Sequence, residues 1–556
     1  MDQQLTDEAK ASHNGNPCSD AKFTFEVKRK STRQNVTCFL VLTILGAAMG
    51  SLQFGYNVGV INAPESLIKE FMNVTQHRRH GSGMTDETAR NLWALTVSIF
   101  SAGGCLGGFL AGWWATKLGR KLGSLANVII GVVGSALMFA SRRVGSYEMI
   151  TVGRVVIGFH AGLYTGISPM YLSEISPANI RGGIGVLHQL AIVSGILISQ
   201  ILGFPDLLGT PENWDVLLGL SVGPCLLQAL ILPFCPESPR YLLITKQDEK
   251  KCRDALVKLR GSEDIEDEMD EIKQEMMSCK TGSHVSILQL FRSPSLRAPM
   301  LIGVVMQLSQ QLSGINGVFF YSTSLFEDAG LSKPTAKYIT SAVGGIMVAM
   351  TIITIPLMDR VGRRTLHLTG LGGMAVFSLV ITIALALRGS VSWFDVASIV
   401  LMLLYVVFFA LGPGSIPWLI VSELFSHDAR PTAMSVCVLV NWVSSFLVGF
   451  VFPSLQAGLK DYTFLPFTVL LVLFFIFTFY KVPETKGKTF DEVTALWRND
   501  SCDSRHETNA KPLSRNKIHD VKGTKVKGEP EIKSIKYGST NEAFSADIGD
   551  GKNQIN

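Results

Sequence analysis

Thr116-Lys117-Leu118-Gly119-Arg120-Lys121 is a short basic turn between two long apolar runs, and Asp359-Arg360-Val361-Gly362-Arg363-Arg364 writes that turn again in the second half of the chain. More pairs follow outward from it. Glu174 has Arg181 seven residues on, and Glu423 has Arg430 at the same spacing; Pro236-Glu237 is answered by Pro483-Glu484. The matched positions recur in the same order at nearly equal offsets, each at the end of an apolar run where charge is scarce. A duplication that keeps charge at equivalent helix ends implies two bundles that move against each other.

The chain has 556 residues, 47% of them hydrophobic and 17% charged. Those totals also fit a soluble protein, so the distribution decides the class. Charge gathers at the two termini and in the middle. Between lie twelve apolar runs, at 38–60, 92–115, 123–142, 147–170, 182–204 and 216–235, then at 298–324, 336–358, 365–387, 394–423, 432–455 and 462–481. A helix needs about 20 apolar residues to cross a bilayer. In lipid every backbone polar group must be satisfied internally, so such runs are helices. Buried helices of a soluble protein seldom lack charge for this long, this often. The reading is an all-α membrane protein, with twelve transmembrane helices in two six-helix bundles and short cytoplasmic helices between them.

Lys28, Arg29, Lys30 and Arg33 precede the first run, Lys117, Arg120 and Lys121 lie in one loop, and three arginines lie in the loop 359–364. The positive-inside rule places all of these in the cytoplasm, and an even number of spans returns the C-terminus there. The expected location is the plasma membrane. The first 37 residues are polar and show no cleavable signal peptide. The loop at 61–91 falls outside, although Arg78 and Arg79 weaken the contrast. It carries Asn73-Val74-Thr75, an acceptor sequon for N-glycosylation. The same triplet at Asn35 lies on the cytoplasmic side and is expected to stay unmodified. The nine cysteines have no paired spacing and read as small core residues, not as disulfides or metal ligands. The net charge of +5 gives no reason to invoke nucleic acid. No cofactor, metal or catalytic residue is expected, and the protein is not read as an enzyme.

The expected organisation is a cytoplasmic segment at 1–37, a six-helix bundle at 38–235, a linker with short helices at 236–297, a second bundle at 298–481 and a largely disordered cytoplasmic tail at 482–556. Six spans is an even number, so both bundles keep one orientation. That parallel repeat about the membrane normal places a substrate between the halves near the midplane.

Carboxylates and guanidiniums that meet across helix ends form bidentate hydrogen bonds. Single surface pairs contribute only about 0–1 kcal/mol, but several present in one conformation alone can bias a two-state equilibrium. Arg120, Glu174, Arg181, Asp359, Arg363, Arg364, Glu423 and Arg430 are therefore assigned to a cytoplasmic gate. Deeper in the membrane the polar groups change character. His188-Gln189, Gln307, Gln310, Gln311, Asn316 and Asn441-Trp442 all lie in apolar runs, and a polar side chain in a span is a functional hypothesis by default. Most are neutral amides that both donate and accept, which suits a neutral polyol better than an ion. Gly412-Pro413-Gly414-Ser415-Ile416-Pro417-Trp418 cannot form a regular helix, and irregular backbone at membrane depth is tolerated where it lines a cavity or is buried in protein. Trp418 can stack on a sugar ring or serve as packing. A gentler break lies at Gly314 to Gly317. No Asp or Glu falls between Cys38 and Ala63 or near the middle of the other spans. His160 and His188 are the titratable candidates, and both read more plainly as bonded core residues. The sequence favours passive, downhill transport.

Gln53-Phe54-Gly55-Tyr56-Asn57, Gly153-Arg154, Pro236 to Arg240, Gln310 to Asn316, Gly412 to Trp418 and Pro483 to Gly487 carry a resemblance. The chain resembles the sugar porters of the major facilitator superfamily, most closely the animal facilitative glucose transporters, over about residues 40–492. The resemblance implies facilitated diffusion of a hexose by alternating access, with sugar contacts from Gln189, Gln310, Gln311, Asn316, Trp418 and Asn441. It also implies that Asn57 stands where proton-driven relatives carry Asp. Two positions depart from the pattern of the glucose carriers, which usually have Asn at the position of Met347 and Glu at that of Ala410. The expected substrate is D-glucose, with fructose open. A proton-coupled sugar symporter and a sugar sensor signalling through its tail are the competing functions. Asn57 weighs against the first and the short tail against the second.

Overall fold

The structure, a computed structural model, describes residues 37–177, 180–281, 285–387, 393–425, 429–486 and 488, with the side chains of 181–183, 185, 278–281, 359 and 395 outside the description. The expectations for the N-terminal segment, the Asn35 sequon and the tail beyond 490 lie outside these residues. Among the described residues the chain is helical, with no strand.

The first half contains α1 (Cys38–Gly59), α2 (Glu65–His80), α3 (Asp86–Leu118), α4 (Arg120–Val144), α5 (Glu148–Ile175), α6 (Arg181–Leu202), α7 (Trp214–Gly219) and α8 (Val222–Ile231). Three short helices follow: α9 (Glu249–Arg260), α10 (Glu266–Thr281) and α11 (Ile287–Arg292). The second half contains α12 (Pro294–Gln311), α13 (Ile315–Asp328), α14 (Lys333–Val361), α15 (Arg363–Ala386), α16 (Trp393–Leu411), α17 (Ile416–Leu424), α18 (Arg430–Leu459) and α19 (Leu465–Lys481). Among the described residues nine helical segments are long and apolar enough to cross a membrane, and Val186–Leu202 and Leu465–Lys481 are shorter apolar helices. The remaining run, 298–324, is the seventh span, divided into α12 and α13. The sixth and tenth spans are also interrupted, between α7 and α8 and between α16 and α17.

Sequence chemistry explains the interruptions. After α12 the chain turns at Gly314, whose φ of 89° suits glycine, and a Cβ there would stand 2.7 Å from the Phe467 ring. Between α16 and α17 the Gly412-Pro413-Gly414 stretch lacks one donor and resists helical order. Across the halves α3 packs along α18, and α6 along α14. One apolar cluster joins both halves through Tyr56, Phe100, Phe319, Phe320, Trp442 and Phe452. Trp442 lies 5.4 Å from Phe54 and 5.9 Å from Phe100, ring centre to ring centre, a geometry that adds to the area these rings bury.

The duplicated turn has a duplicated support. Gly119 (φ 92°) joins α3 to α4, and Gly362 (φ 102°) joins α14 to α15. At the start of α4 the Glu237 carboxylate accepts from the backbone N–H groups of Arg120 and Lys121, at 2.9 and 3.1 Å. At the start of α15 Glu484 accepts from those of Arg363 and Arg364, at 2.9 and 3.1 Å. An anion there satisfies helix N–H groups that have no partner within the helix and complements the dipole. A Cβ on Gly119 would lie 2.5 Å from Glu237 Oε2 and 2.8 Å from Tyr241. Gly119→Ala is therefore expected to destabilise the fold by about 1–3 kcal/mol, from a disfavoured φ plus loss of the carboxylate cap. Thermal denaturation of the purified protein in detergent checks this, and an unchanged melting temperature would refute it.

Candidate functional site

The amides singled out in the sequence converge in the second half, where they form one bonded network. Asn441, in the middle of α18, donates to Gln307 Oε1 at 2.8 Å and to Gln310 Oε1 at 2.7 Å. Its own Oδ1 accepts from Gln311 Nε2 at 3.0 Å. Gln311 Oε1 accepts from Asn316, whose Nδ2 also donates to Ser445 Oγ at 3.0 Å. Gln310 Nε2 donates to the carbonyls of Pro413 and Gly414, both at 2.8 Å. Thus α12 supplies three glutamines, α13 and α18 one asparagine each, and the break between α16 and α17 the two carbonyls. Asn316 Oδ1 has no hydrogen-bond partner among the described residues.

The remaining two candidate contacts lie apart from this network. Gln189, on α6, is half-buried with no bonded side-chain partner among the described residues, next to His188, whose Nδ1 lies 2.7 Å from Ser51 Oγ. Trp418 is half-buried and packs against the large apolar cluster. Met347 and Ala410 are buried in that same cluster. The carbon surface at both positions matches the departures noted in the sequence.

Two further residues sit near the amides without a clear signal in the sequence. Ser445 links Asn316 to the first half through Ser101 on α3, Oγ to Oγ at 3.0 Å. Asn62, just beyond α1, does more. Helix α13 departs from helical geometry at Tyr321 (φ −130°). The side chain of Asn62 enters there: Nδ2 donates to the Phe319 carbonyl at 2.9 Å and Ser322 Oγ at 2.6 Å, and Oδ1 accepts from Thr323 N–H at 3.1 Å. Phe319 carbonyl and Thr323 N–H are the pair that a regular helix would bond to each other. A side chain from one half thus replaces a backbone hydrogen bond of the other. Nearby, Lys337 donates to the Gly209 carbonyl at 3.0 Å and Tyr338 to Asp206. The contacts of Asn62, Lys337 and Tyr338 join the halves on the face opposite the Gly119 and Gly362 turns. On that face Glu65 is buried 2.5 Å from Lys69, and burial raises its pKa above the usual carboxylate range while Lys69 opposes the rise.

On the Gly119 and Gly362 face the charged residues gather within each half. Arg120 pairs with Glu174 at 2.7 Å and donates to the Ala115 carbonyl; Ser238 donates to Glu174. Arg363 lies 3.3 Å from Glu423 and donates to the Met358 carbonyl; Thr485 donates to Glu423. The two clusters match group for group. In the second half Glu423 and Arg430, seven residues apart, do not bond to each other among the described residues. Arg430 donates to the Phe425 carbonyl in its own loop, and Glu423 turns to Arg363. Arg364 donates to the Phe479 carbonyl at 2.6 Å. The side chains of Arg181 and Asp359 lie outside the description. Among the described residues every ion pair here ties helices of one half. Glu237 and Glu484, part of the repeat but given no role from sequence, anchor both clusters.

Arg154 is fully buried, donates to the carbonyls of Asn57 at 2.7 Å and Val97 at 3.3 Å, and lies 4.5 Å over the Phe100 ring. No carboxylate pairs with it among the described residues. Asn73 is exposed on α2; its Oδ1 accepts from Met84 N–H at 2.9 Å, and its Nδ2 has no hydrogen-bond partner among the described residues.

The Sugar (and other) transporter family matches residues 43–497. Facilitated glucose transporter member 3 of solute carrier family 2 from Ovis aries is 45% identical over 88% of this chain and 99% of its own length. Member 1 from Gallus gallus is 46% identical over 85% of this chain and 96% of its own. Among solved structures the inward-open form of the xylose transporter XylE from E. coli matches with a TM-score of 0.68 and 25% identity, over 82% of this chain and all of that one, 100%. A partially occluded inward-open form of XylE gives a TM-score of 0.68 at 23% identity, with 82% and 100% covered, a likeness of fold.

The Asn62 contact makes a direct prediction. Asn62→Ala leaves Thr323 N–H and Phe319 carbonyl without their partner, at roughly 1–3 kcal/mol against the sealed state. A cysteine at buried Thr340 should then react with a membrane-impermeant maleimide about five-fold faster or more. Equal rates would show that Asn62 does not hold the seal.

Proposed function

The chain belongs to the sugar transporter family, and on that premise we propose that it is a facilitative hexose uniporter working by alternating access. The sugar binds between the halves, with Gln189, Gln310, Gln311, Asn316, Trp418 and Asn441 as its contacts. A neutral ring with several hydroxyls matches a set of neutral amides that can exchange bonds with each other and with the sugar. Gln310 and Asn441 are held by carbonyls and amides, which fixes where they and the bonded Gln311 meet the sugar. Asn316 Oδ1 and Gln189 hold open hydrogen-bonding capacity. The face with the Gly119 and Gly362 turns is assigned to the cytoplasm of a plasma-membrane protein, from its basic residues. The conformation described is then inward-facing, sealed outside by Asn62. Arg120, Glu174, Arg181, Asp359, Arg363, Arg364, Glu423 and Arg430 are proposed as the cytoplasmic gate. In the present state two matched clusters stiffen the separate halves, and the gate closes when the halves meet on that side. The helices divide for this motion into bundles at 38–235 and 298–481. Asn73 is proposed as the glycan acceptor.

The single observation that carries uncoupled transport is the surroundings of Arg154. Asn57 faces it with a backbone carbonyl, and the Asn57 amide cannot release a proton. A permanently charged guanidinium held by carbonyls offers no proton to exchange within the cycle. Proteoliposomes loaded with buffer and given labelled glucose or fructose, with and without a proton gradient, test the reading. Equilibration without accumulation is expected; uphill accumulation driven by the gradient would defeat it. A second reading, preference for fructose, is favoured by the buried carbon surface of Met347 and Ala410, and the same assay decides between the sugars.

Gln311→Ala removes the acceptor of Asn316 and the donor to Asn441. Uptake should show a KM raised about 2–10-fold, the loss of one or two hydrogen bonds, with surface expression intact. An unchanged KM would remove Gln311 from the site.

A further inference from the structure

The seam between α6 and α14 holds an amide that nothing satisfies. Gln200 is 2% exposed, and neither its Nε2 nor its Oε1 has a hydrogen-bond partner among the described residues. Its Oε1 lies against Gly344 of α14. A Cβ built on Gly344 would run into Gln200 Oε1 and come within 2.9 Å of Leu197 Cα. The other buried amides of the spans each keep at least one side-chain hydrogen bond: Gln53, Asn127, Gln228, Gln310 and Asn441 do, and so do Asn57 and Gln307, which leave one atom unpaired. Each buried polar atom left unpaired is worth roughly five-fold or more in an equilibrium. An apolar residue of similar volume would suit position 200 better in this conformation.

The amide therefore makes sense only through another conformation. Gln200 lies about three turns beyond Gln189 on the same face of α6, toward the sealed side. When α6 and α14 part on that side, its amide reaches water and recovers its hydrogen bonds. We propose that Gln200 is a built-in opposing element to the outer seal. Closing the α6–α14 seam strips this amide of its partners, and reopening restores them. Asn62, fully bonded across the halves, favours sealing, and Gln200 disfavours it. A carrier without an energy source needs its two states close in free energy, and a pair of opposed amides provides that balance. The inference rests on the alternating-access reading above.

The test uses the full chain in proteoliposomes with a reporter cysteine at Val343, which is buried beside Gly344. Labelling by a membrane-impermeant maleimide is compared with the same protein lacking the reporter. In the parent, hexose should change the labelling rate, because sugar redistributes the two states. Gln200→Leu should slow labelling about five-fold or more, and Gln200→Met should do the same if the leucine variant folds poorly. Gly344→Ala should speed labelling, because the seam no longer closes over a methyl group. A parent whose labelling responds to hexose while both Gln200 variants label at the parent rate or faster would overturn the proposal alone. A parent labelled at one rate with and without hexose would sink the alternating-access reading, and this proposal with it.

Discussion

The structure depends on one constraint: inside a membrane, a backbone N–H or carbonyl freed by an irregularity must find a partner within the protein. Every functional irregularity here carries its partner with it. The carbonyls of Pro413 and Gly414, released by the break in the tenth span, accept from Gln310. The Phe319 carbonyl and Thr323 N–H, parted by the kink at Tyr321, are bridged by Asn62. The first N–H groups of α4 and α15 are held by Glu237 and Glu484. Without such side chains each break would carry unpaired groups in a low dielectric, a cost comparable to a sizeable part of a domain's whole stability.

The same constraint gives the breaks a direction. A partner from the same half makes a permanent element, as Gln310 does for the tenth span. A partner from the other half makes a conditional one. Helix α13 is kinked while Asn62 is present, and its own backbone bond is free to re-form once Asn62 withdraws. Asn62 makes three bonds here where the helix alone would make one, so its presence favours the kinked form. The charged turns are of the first kind in this conformation: each cluster braces one half. This is why the echo between halves is strict there, down to Ser238 and Thr485 bonding to Glu174 and Glu423. Where the halves must differ, at the amides, the echo stops.

Much of this was legible in the sequence, for physical reasons. Apolar runs report spans because lipid tolerates little else, and the repeated basic turns report the two halves because charge at a helix end is conspicuous against hydrocarbon. The amides of α12 and α18 stood out for the same reason, and they do form a single network. The partners of the charges were harder. Glu423 and Arg430 share a spacing that reads as a pair, yet Arg363, distant in sequence, takes the carboxylate. Asn62 was invisible as a contact because an amide at the end of a span looks like an ordinary interfacial residue. Its role exists only across the interface, with a kink whose cause lies in the other half. Glu237 and Glu484 were present in the repeat, but nothing local says that a carboxylate will cap a helix so far away in the chain.

Amides recur in all of these places because they are the one neutral side chain that can stand in for a peptide group. They donate and accept in the same plane, so Asn62 can replace a backbone bond and Gln311 can hold two neighbours at once. A charged group would bind a break more strongly, but it would fix it, since removing one partner of a buried charge pair is costly. A hydroxyl donates one hydrogen bond where an amide donates two and accepts through a separate atom. For a carrier that must open, close and release a neutral cargo without an energy source, bonds of modest and nearly equal strength are the suitable kind. That choice also explains why the buried arginine, Arg154, is surrounded by carbonyls and an aromatic ring. Its charge is held in place by groups that do not titrate.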